Sequence, residues 1–594
     1  MDIFARFDDL QGHDGSFELV DPVEEMVATD PSDVSQVLQG AESAAADGRW
    51  VAGFVAYEAA SGLEPGLATR SWPPGHPLVA LPLAWFGVFE TRREVPRITV
   101  EAPGADDVAQ WTLLEDEGWH RAAVAQVKDL IAAGDLYQLN LTTRLAGWIG
   151  DPGELYRRLA AAQGGAYNAL LVTPQHTIVS ASPELFFHRC GSRITTKPMK
   201  GTAPRGRWAE EDAANGEALA RSPKERAENV MIVDLLRNDL GRLAVPGSVH
   251  VPELWAPERY PTMWQLTSTI EATARPGVGL VEVFRALFPS GSVTGAPKRR
   301  TMQAVAAIEP VPRGVYCGAV GYLSPGGPTP DARFSVAIRT VTVARRAGSG
   351  KGGYAEYGVG GGITSPSDPR SEWAEILTKS SLLRRRAAPK GLVETFGVDP
   401  AGGPVDLDRH LARLEASAGY FGIPFDVVDA AARLKVLRST CDAPLRVRLV
   451  LDRSGRIEME SEVLRPAGGP VRLGLADRPV DSGDVLLFHK HTDRSMYEGF
   501  RRRSPGVDDV VLWNERREVT ETTIANLALH LEGRWWTPPL ACGLLPGVGR
   551  SRLLDDGVLT ERVLSLDDLR AATEMAVVSS LRGWRQAILC EPLR

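Results

Sequence analysis

The sequence predicts a two-part α+β protein. A larger N-terminal unit with broad antiparallel sheets and flanking helices precedes a smaller unit that mixes strands and helices. Three observations predict this. The chain has 594 residues, room for several domains at about 100–200 residues each. Short strand-like runs follow one another with amphipathic helices between them, the signature of mixed α+β rather than of alternating β-α units. A helical stretch, SEWAEILTKSSLL (371–383), ends in a basic segment marked by Pro389 and Gly391, after which an apolar run begins at Leu392; such a stop marks a boundary.

In chain order, WVAGFVAYEA (50–59), LVALPLAWFGVFE (78–90), NALLVT (168–173), ELFFHR (184–189), RITTKPMKG (193–201) and VYCGAVGYLS (315–324) read as strands. EDAANGEALA (211–220) and ERAENVMIVDLLRNDL (225–240) read as helices. AGSGKGG (347–353) lies between strand-like runs and is expected to be a hairpin loop,. Beyond the break, RVRLVLD (446–452), VRLGLAD (471–477), DVVLWN (509–514) and AVVSS (576–580) read as strands, and LDRHLARLEASAGY (407–420) as a helix. The expected domains are a β-rich part at 1–115, a catalytic part at 116–385, a linker at 386–391 and a last domain at 392–594.

Composition narrows the function. Net charge is −8, from 67 basic and 75 acidic residues, with no charged tail; a nucleic-acid partner held by bulk positive charge is excluded. Five cysteines stand singly, without zinc spacing, as in a reducing compartment. The N-terminus MDIFARFDDLQGHDG carries acids where a leader needs basic residues,, and no run approaches a membrane span. The expectation is a cytoplasmic enzyme, without membrane or nucleic-acid partners.

Two helices carry paired carboxylates. In SPKERAENVM, Ser222 suits the N-cap, Pro223 the first helical position, and Glu225 and Glu228 share one face,. In SDPRSEWAEILTK, Glu372 and Glu375 repeat that spacing, with Lys379 four residues on. Singly, these suit a capping box and a surface ion pair. Pooled, they repel unless a hard cation joins them, and Mg²⁺ takes such oxygen ligands. GVGGGI (358–363), just before the second helix, is expected to be a loop whose amides welcome an anion,.

YQLNLTTRL (137–145), SPELFF (182–187), PMKGTAPRG (198–206), ENVMIVDLLRNDLGR (228–242), FPSGSVTGAPKRR (288–300), AIRT (337–340) and GVGGGITSPSDPRSEWAE (358–375) together resemble the chorismate-utilising enzymes. That family includes anthranilate, isochorismate and salicylate synthases and component I of aminodeoxychorismate synthase. The resemblance implies a chorismate-binding fold for the first unit. It implies Glu228 and Glu375 as magnesium ligands with Glu225 and Glu372 as their partners, and Arg339 on the pyruvyl carboxylate. The amides of Gly360, Gly361 and Gly362 with Lys379 fall around the ring carboxylate, and Thr294 and Gly295 at substrate contacts. Lys200 in PMKGT stands where the aminodeoxychorismate synthases carry a lysine and the other members an alanine; its amine can attack C2 of chorismate, splitting one substitution into two. Gln138 stands where the water-using members have a lysine base, and an amide cannot be that base. Gln265 in WQLTS replaces a histidine common in the family.

LVETFGV (392–398), LDRHLARLEAS (407–417), LFHKHTDR (487–494), VTETTIANL (519–527) and LLPGVGR (544–550) resemble the class IV (fold-type IV) pyridoxal 5′-phosphate enzymes, which include aminotransferases and aminodeoxychorismate lyase. The resemblance implies Lys490, expected at a strand end, as the Schiff-base lysine. It implies Glu521 on the pyridine nitrogen, and Arg413, the amides of Val548 and Gly549, and Ser580 on the phosphate. Alone, Glu521 could cap a helix beginning near Thr520. Arg446 and Arg448 share a strand face, and one of them is expected to receive a substrate carboxylate.

The resulting expectation is a bifunctional enzyme of 4-aminobenzoate (folate precursor) synthesis. Ammonia would come from a separate glutamine amidotransferase, since no G-x-C-x-G is found, and the enzyme would be a homodimer through its second unit. The rivals are an anthranilate synthase-like domain fused to an amino-acid aminotransferase, and a non-catalytic C-terminal unit.

Overall fold

The computed structural model describes residues 3–12, 15–98, 110–345, 352–384, 389–401, 403–438, 442–466 and 468–590. It divides into two compact units. The first comprises residues 1–204 and 215–387, and the second 205–214 and 388–594. The segment 205–214 therefore clusters with the second unit although its sequence neighbours belong to the first. The expected linker lies partly outside the described residues, as does the tip of the 347–353 loop, whose flanking strands do pair as a hairpin (Arg345↔Gly353).

In the first unit the strands that position the site are β1 (Gln138–Ile149), β2 (Met199–Pro204) and β3 (Gly353–Ile363), and the helices α1 (Pro223–Gly241) and α2 (Pro369–Ser380). Pairing is antiparallel throughout, so the expected α+β class with large antiparallel sheets holds. Strand Trp50–Val55 shows why its sequence reads as a continuous apolar run. Val51 and Val55 enter one core cluster while Ala52 and Phe54 enter another on the opposite face, so period-two alternation buries both sets. The helical signals hold as well. The Ser222 hydroxyl accepts the Glu225 amide at 3.4 Å, Asp368 accepts the Ser371 amide at 2.9 Å, and proline opens both helices.

Two local expectations are corrected here. Residues 57–59, the end of the first strand-like run, form a short helical turn and not strand. GVGGGI is the end of β3, paired with β1 up to Ile363↔Leu139, and not a loop; glycine here permits close backbone approach rather than a turn. Gly360, for example, leaves only 2.6 Å between a notional Cβ and the Leu141 carbonyl.

The second unit holds β4 (Gly391–Asp399), α3 (Leu407–Phe421) and β5 (Leu445–Asp452), with β4 and β5 adjacent in a four-stranded antiparallel sheet. A mixed eight-stranded sheet contains β6 (Val519–Thr522) and β7 (Glu574–Ser579), beside helix α4 (Val548–Asp555). Two expectations fail here. Val485–Phe488 is a 3₁₀ turn, so Lys490 follows a turn instead of ending a strand; its carbonyl accepts the Val393 amide at 2.9 Å. Glu521 lies within β6 and caps no helix. Among the described residues no helix is long and apolar enough to cross a membrane.

Candidate active sites

A cavity of about 340 Å³ in the first unit is lined by Lys200, both α1 glutamates (Glu225 and Glu228), both α2 glutamates (Glu372 and Glu375), Lys379 and Arg339. Lys200 gets there through an irregularity. The β2 register slips between Met199 and Thr202, a bulge of the kind that re-aims a side chain,. Gly201 sits at φ +99°, and a side chain on it would also press on Glu225,. The Asn229 amide of α1 holds the bulge by donating to the Lys200 carbonyl (3.3 Å) and the Leu266 carbonyl (3.2 Å). The Lys200 amine and the Gln138 amide converge over Gly362, where a notional Cβ would stand 2.3 Å and 2.7 Å from them. Among the described residues the Gln138 amide is buried without a hydrogen-bond partner.

Electrostatics set the carboxylates apart. Burial, then the like charge of Glu228, pushes Glu225 up; burial also raises Glu372, with Glu375 adding to it. Burial works on Glu375 too, but Lys379, 2.6 Å away, pulls it below the ordinary range. Lys379 also donates to the Gly360 carbonyl at 2.8 Å. That carbonyl points away from β1, so in an antiparallel ladder the Gly360 amide, and by alternation that of Gly362, point away as well, while Gly361 bonds into the ladder,. Only two of the three predicted amides are thus free to meet a ligand. Arg339, at φ +53°, donates to the Lys379 carbonyl at 3.1 Å.

Thr294 and Gly295 are not among the cavity's lining residues. The Thr294 hydroxyl turns to the Ser290 carbonyl (2.9 Å), and a Cβ on Gly295 would meet the Gln138 carbonyl at 2.2 Å, so both shape the wall from behind. Gln265 lines the cavity, its amide nitrogen 2.9 Å from the Met263 sulfur. Sequence reading missed Glu184. It is buried in the wall, accepts the Ser292 hydroxyl at 2.5 Å, and burial pushes its carboxyl up to about 8, against the opposing pull of Ser292 and Lys200. The signal was present in SPELFF, an acid inside an apolar strand start.

The second cavity, about 450 Å³, is lined by Lys490, Glu521, Arg413, Val548 and Ser580. Burial lowers Lys490 to about 8, and Arg413, Arg494 and Arg446 add to this against Glu394. Burial raises Glu521 to about 8, although it accepts the Leu545 amide (3.2 Å) and the Tyr497 hydroxyl (3.1 Å). Val548 opens α4. Gly549 passes so close to β7 that a Cβ would stand 2.8 Å from the Ser579 carbonyl carbon. Sequence reading also missed Glu394 and His410. Burial would raise Glu394, yet the bidentate Arg413 (2.8 and 2.7 Å) and His410 (2.7 Å) hold it well below the usual carboxylate range. The far nitrogen of His410 pairs with the Ser580 hydroxyl at 2.8 Å. Arg446 and Arg448 both line the cavity and both pair with glutamates of the adjoining strand.

A lysine among carboxylates in an antiparallel α+β unit, followed by a buried lysine among arginines and a buried carboxyl, defines a chain with two separate small-molecule sites. Residues 9–385, well over half of the chain, match the family described as chorismate binding enzyme, and the protein belongs to that family. Residues 391–589 match amino-transferase class IV. Among curated relatives, aminodeoxychorismate synthase component 1 of Klebsiella aerogenes is 40% identical over 255 residues, covering 43% of this chain and 54% of that protein. Anthranilate synthase component 1 of Streptomyces coelicolor is 37% identical over 286 residues, covering 48% and 54%. The chain thus spans about half the length of the curated relatives it matches. Anthranilate synthase component I of Streptococcus pneumoniae shares the fold at TM-score 0.52 and 24% identity, covering 64% of this chain and 92% of that one.

Proposed function

We propose that the protein makes 4-aminobenzoate in two steps: chorismate and ammonia to 4-amino-4-deoxychorismate in the first unit, then loss of pyruvate in the second. The observation that carries the reading is Lys200 converging with Gln138 over Gly362, at a cavity walled by five glutamates. The Lys200 amine attacks C2 of chorismate; the ring double bonds shift and the C4–O bond breaks. Glu184, protonated at neutral pH, donates the proton that lets the hydroxyl leave as water, the part a histidine at position 265 would otherwise invite. Ammonia then forms the C4–N bond and expels the lysine. Arg339 holds one carboxylate, and the free amides of Gly360 and Gly362 with Lys379 hold the other.

Among the described residues no group of three metal-ligating side chains is already assembled. The donors that face this cavity are carboxylate oxygens, which suit Mg²⁺ held by one or two carboxylates with water and substrate completing the shell. Glu228 and Glu375 would hold it, and it would neutralise charge on the bound dianion. In the second cavity Glu521 is a carboxyl raised by burial, and a pyridinium beside it would favour its charged form,. Arg413, Ser580 and the N-terminus of α4 would hold a phosphate. Pyridoxal phosphate, bound there, acts as an electron sink. Lys490 then takes the proton from C4 of the substrate and returns one to the departing pyruvate carbon. Ammonia would come from a separate glutamine amidotransferase, the protein would act in the cytoplasm as a homodimer, and its product would serve folate synthesis.

Incubation with chorismate, ammonium, Mg²⁺ and pyridoxal phosphate tests the reading: 4-aminobenzoate and pyruvate are expected, and fluorescent anthranilate would overturn it.

A further inference from the structure

Residues 205–212 follow Lys200 closely in sequence yet cluster with the second unit. The segment, RGRWAEED, is tightly built. Arg205 grips Asp212 with two bonds (2.7 and 2.9 Å), and the Gly206 amide donates to the same carboxylate at 2.9 Å. Gly206 admits no side chain, since a Cβ would stand 2.0 Å from the Asp212 nitrogen. Its targets converge on one place. The Arg205 guanidinium lies 4.2 Å over the Tyr420 ring, and the Tyr420 hydroxyl donates to the Gly206 carbonyl at 2.8 Å. Tyr420 in turn packs on the His489 ring at 4.6 Å. Trp208 stacks on Phe488 at 5.2 Å and 29°. Arg207 donates to the carbonyls of Ser482 (3.3 Å) and Ala541 (3.2 Å). Phe488 and His489, the two residues before Lys490, are thereby buried to 1% and 4% exposure. On the other side, the Lys490 carbonyl is held by the Val393 amide.

We propose that residues 205–212 form a strap that positions Lys490, with Trp208 on Phe488 as its main contact and Arg207 as its anchor. The second unit's lysine is then held by a piece of sequence that precedes the rest of that unit by about 175 residues. The proposal rests on the reading of Lys490 as the cofactor lysine. Trp208 and Arg207 touch neither cavity's lining, so both are positioning residues. The strap fixes the backbone before Lys490, and losing it lets the amine wander from its attack geometry, an error that costs about tenfold to a hundredfold in rate for about 1 Å of displacement.

The test uses the full chain and Trp208→Ala, Trp208→Phe and Arg207→Ala variants. Pyridoxal phosphate is added, the Lys490 adduct is trapped with borohydride, and the modified peptide is counted by mass spectrometry at a series of pH values. Capture by Trp208→Ala should be slowed by at least about tenfold, Trp208→Phe should restore most of it, and Arg207→Ala should fall between. Formation of aminodeoxychorismate from chorismate and ammonium should be unaltered in all three, and pyruvate release should lose kcat with KM unmoved. A Trp208→Ala chain that captures the cofactor at the unaltered rate and pH profile overturns the strap alone. An unaltered chain that captures none on Lys490 overturns both the strap and the cofactor reading. Should Trp208→Ala misfold, the intermediate capture expected of Arg207→Ala decides, and unaltered capture there overturns the proposal.

Discussion

Each of the two cavities sets a lysine near a buried carboxyl, and they differ in almost everything else. The first surrounds Lys200 with five glutamates and an oxygen-rich wall. The second surrounds Lys490 with Arg413, Arg446, Arg448, Arg494 and Arg582. Both would take anionic molecules, yet by opposite means. The acidic cavity can admit a dianion only with a cation between, while the arginine-lined one offers its own positive charge and phosphate-seeking forks. The buried carboxyls diverge in the same way. Burial raises both, opposed at Glu184 by the Ser292 hydroxyl and Lys200 and at Glu521 by the Leu545 amide, the Tyr497 hydroxyl and Arg494. Burial does similar electrostatic work in both places, and the neighbours decide the use.

The sharpest way to break this comparison is to remove each lysine. Lys200→Ala should make no aminodeoxychorismate. Lys490→Ala should make it and accumulate it without releasing pyruvate, as mass spectrometry of the mixture would show. Both losses are expected to be complete within detection, because each amine forms or breaks a bond and is not merely a charge. Equal accumulation by both variants would mean that the two sites do not divide the chemistry.

Next in size is Glu184→Gln, which keeps the shape and removes the proton. The first reaction should slow by about 10²–10⁴-fold, with the second reaction, supplied with aminodeoxychorismate, unchanged. A loss below about tenfold would give the proton donor's part to another group.

The acid–base contrast also separates the sites by pH. Glu184 must be protonated to act, and its carboxyl sits at about 8, so the first reaction's rate should fall about tenfold per unit as pH rises beyond that value. Lys490 must be neutral to capture a cofactor, and it too sits at about 8, so capture should fall about tenfold per unit as pH drops below it. Opposite limbs around one pH are the expectation, measured by initial rates of aminodeoxychorismate formation and of borohydride-trapped Lys490. Parallel profiles would dissolve the contrast.

How legible this was in the sequence follows from the range of the signals. Helix α1 announced itself by Ser222 with Pro223 and helix α2 by Pro369, local chemistry that needs no tertiary context. The carboxylate spacing on each helix was equally local. What the sequence could not convey was long-range. GVGGGI reads as a loop until β1 is seen alongside it, and only the ladder tells which glycine amides are free. Glu184 reads as one acid in a strand, and its raised carboxyl depends on burial by segments far along the chain. Thr294 and Gly295 were placed by motif, which marks a neighbourhood without fixing direction. The strap at 205–212 was illegible for the same reason, since nothing in RGRWAEED names Phe488 or Tyr420 as its partners.

The smallest expected effect sharpens the arginine side. Arg446 and Arg448, two apart on β5, both reach the second cavity, yet each is about a third exposed (38% and 36%) and already pairs with a glutamate of the next strand, Glu462 and Glu460. Their pull on a substrate carboxylate is therefore screened and shared, so each should contribute no more than about 1 kcal/mol. Arg446→Gln and Arg448→Gln should each raise KM for aminodeoxychorismate by up to about fivefold with kcat held. Cofactor capture at Lys490 should be unmoved in Arg448→Gln, while Arg446→Gln, which removes one of the charges that lower Lys490, should slow it slightly on the acid side. If only one variant shifts KM, that arginine alone meets the carboxylate and the other serves its strand pair. If both also lose kcat, the arginines would be acting on the reacting atoms and not on a distant anion, and the division between an acid-walled and an arginine-walled chemistry would need redrawing.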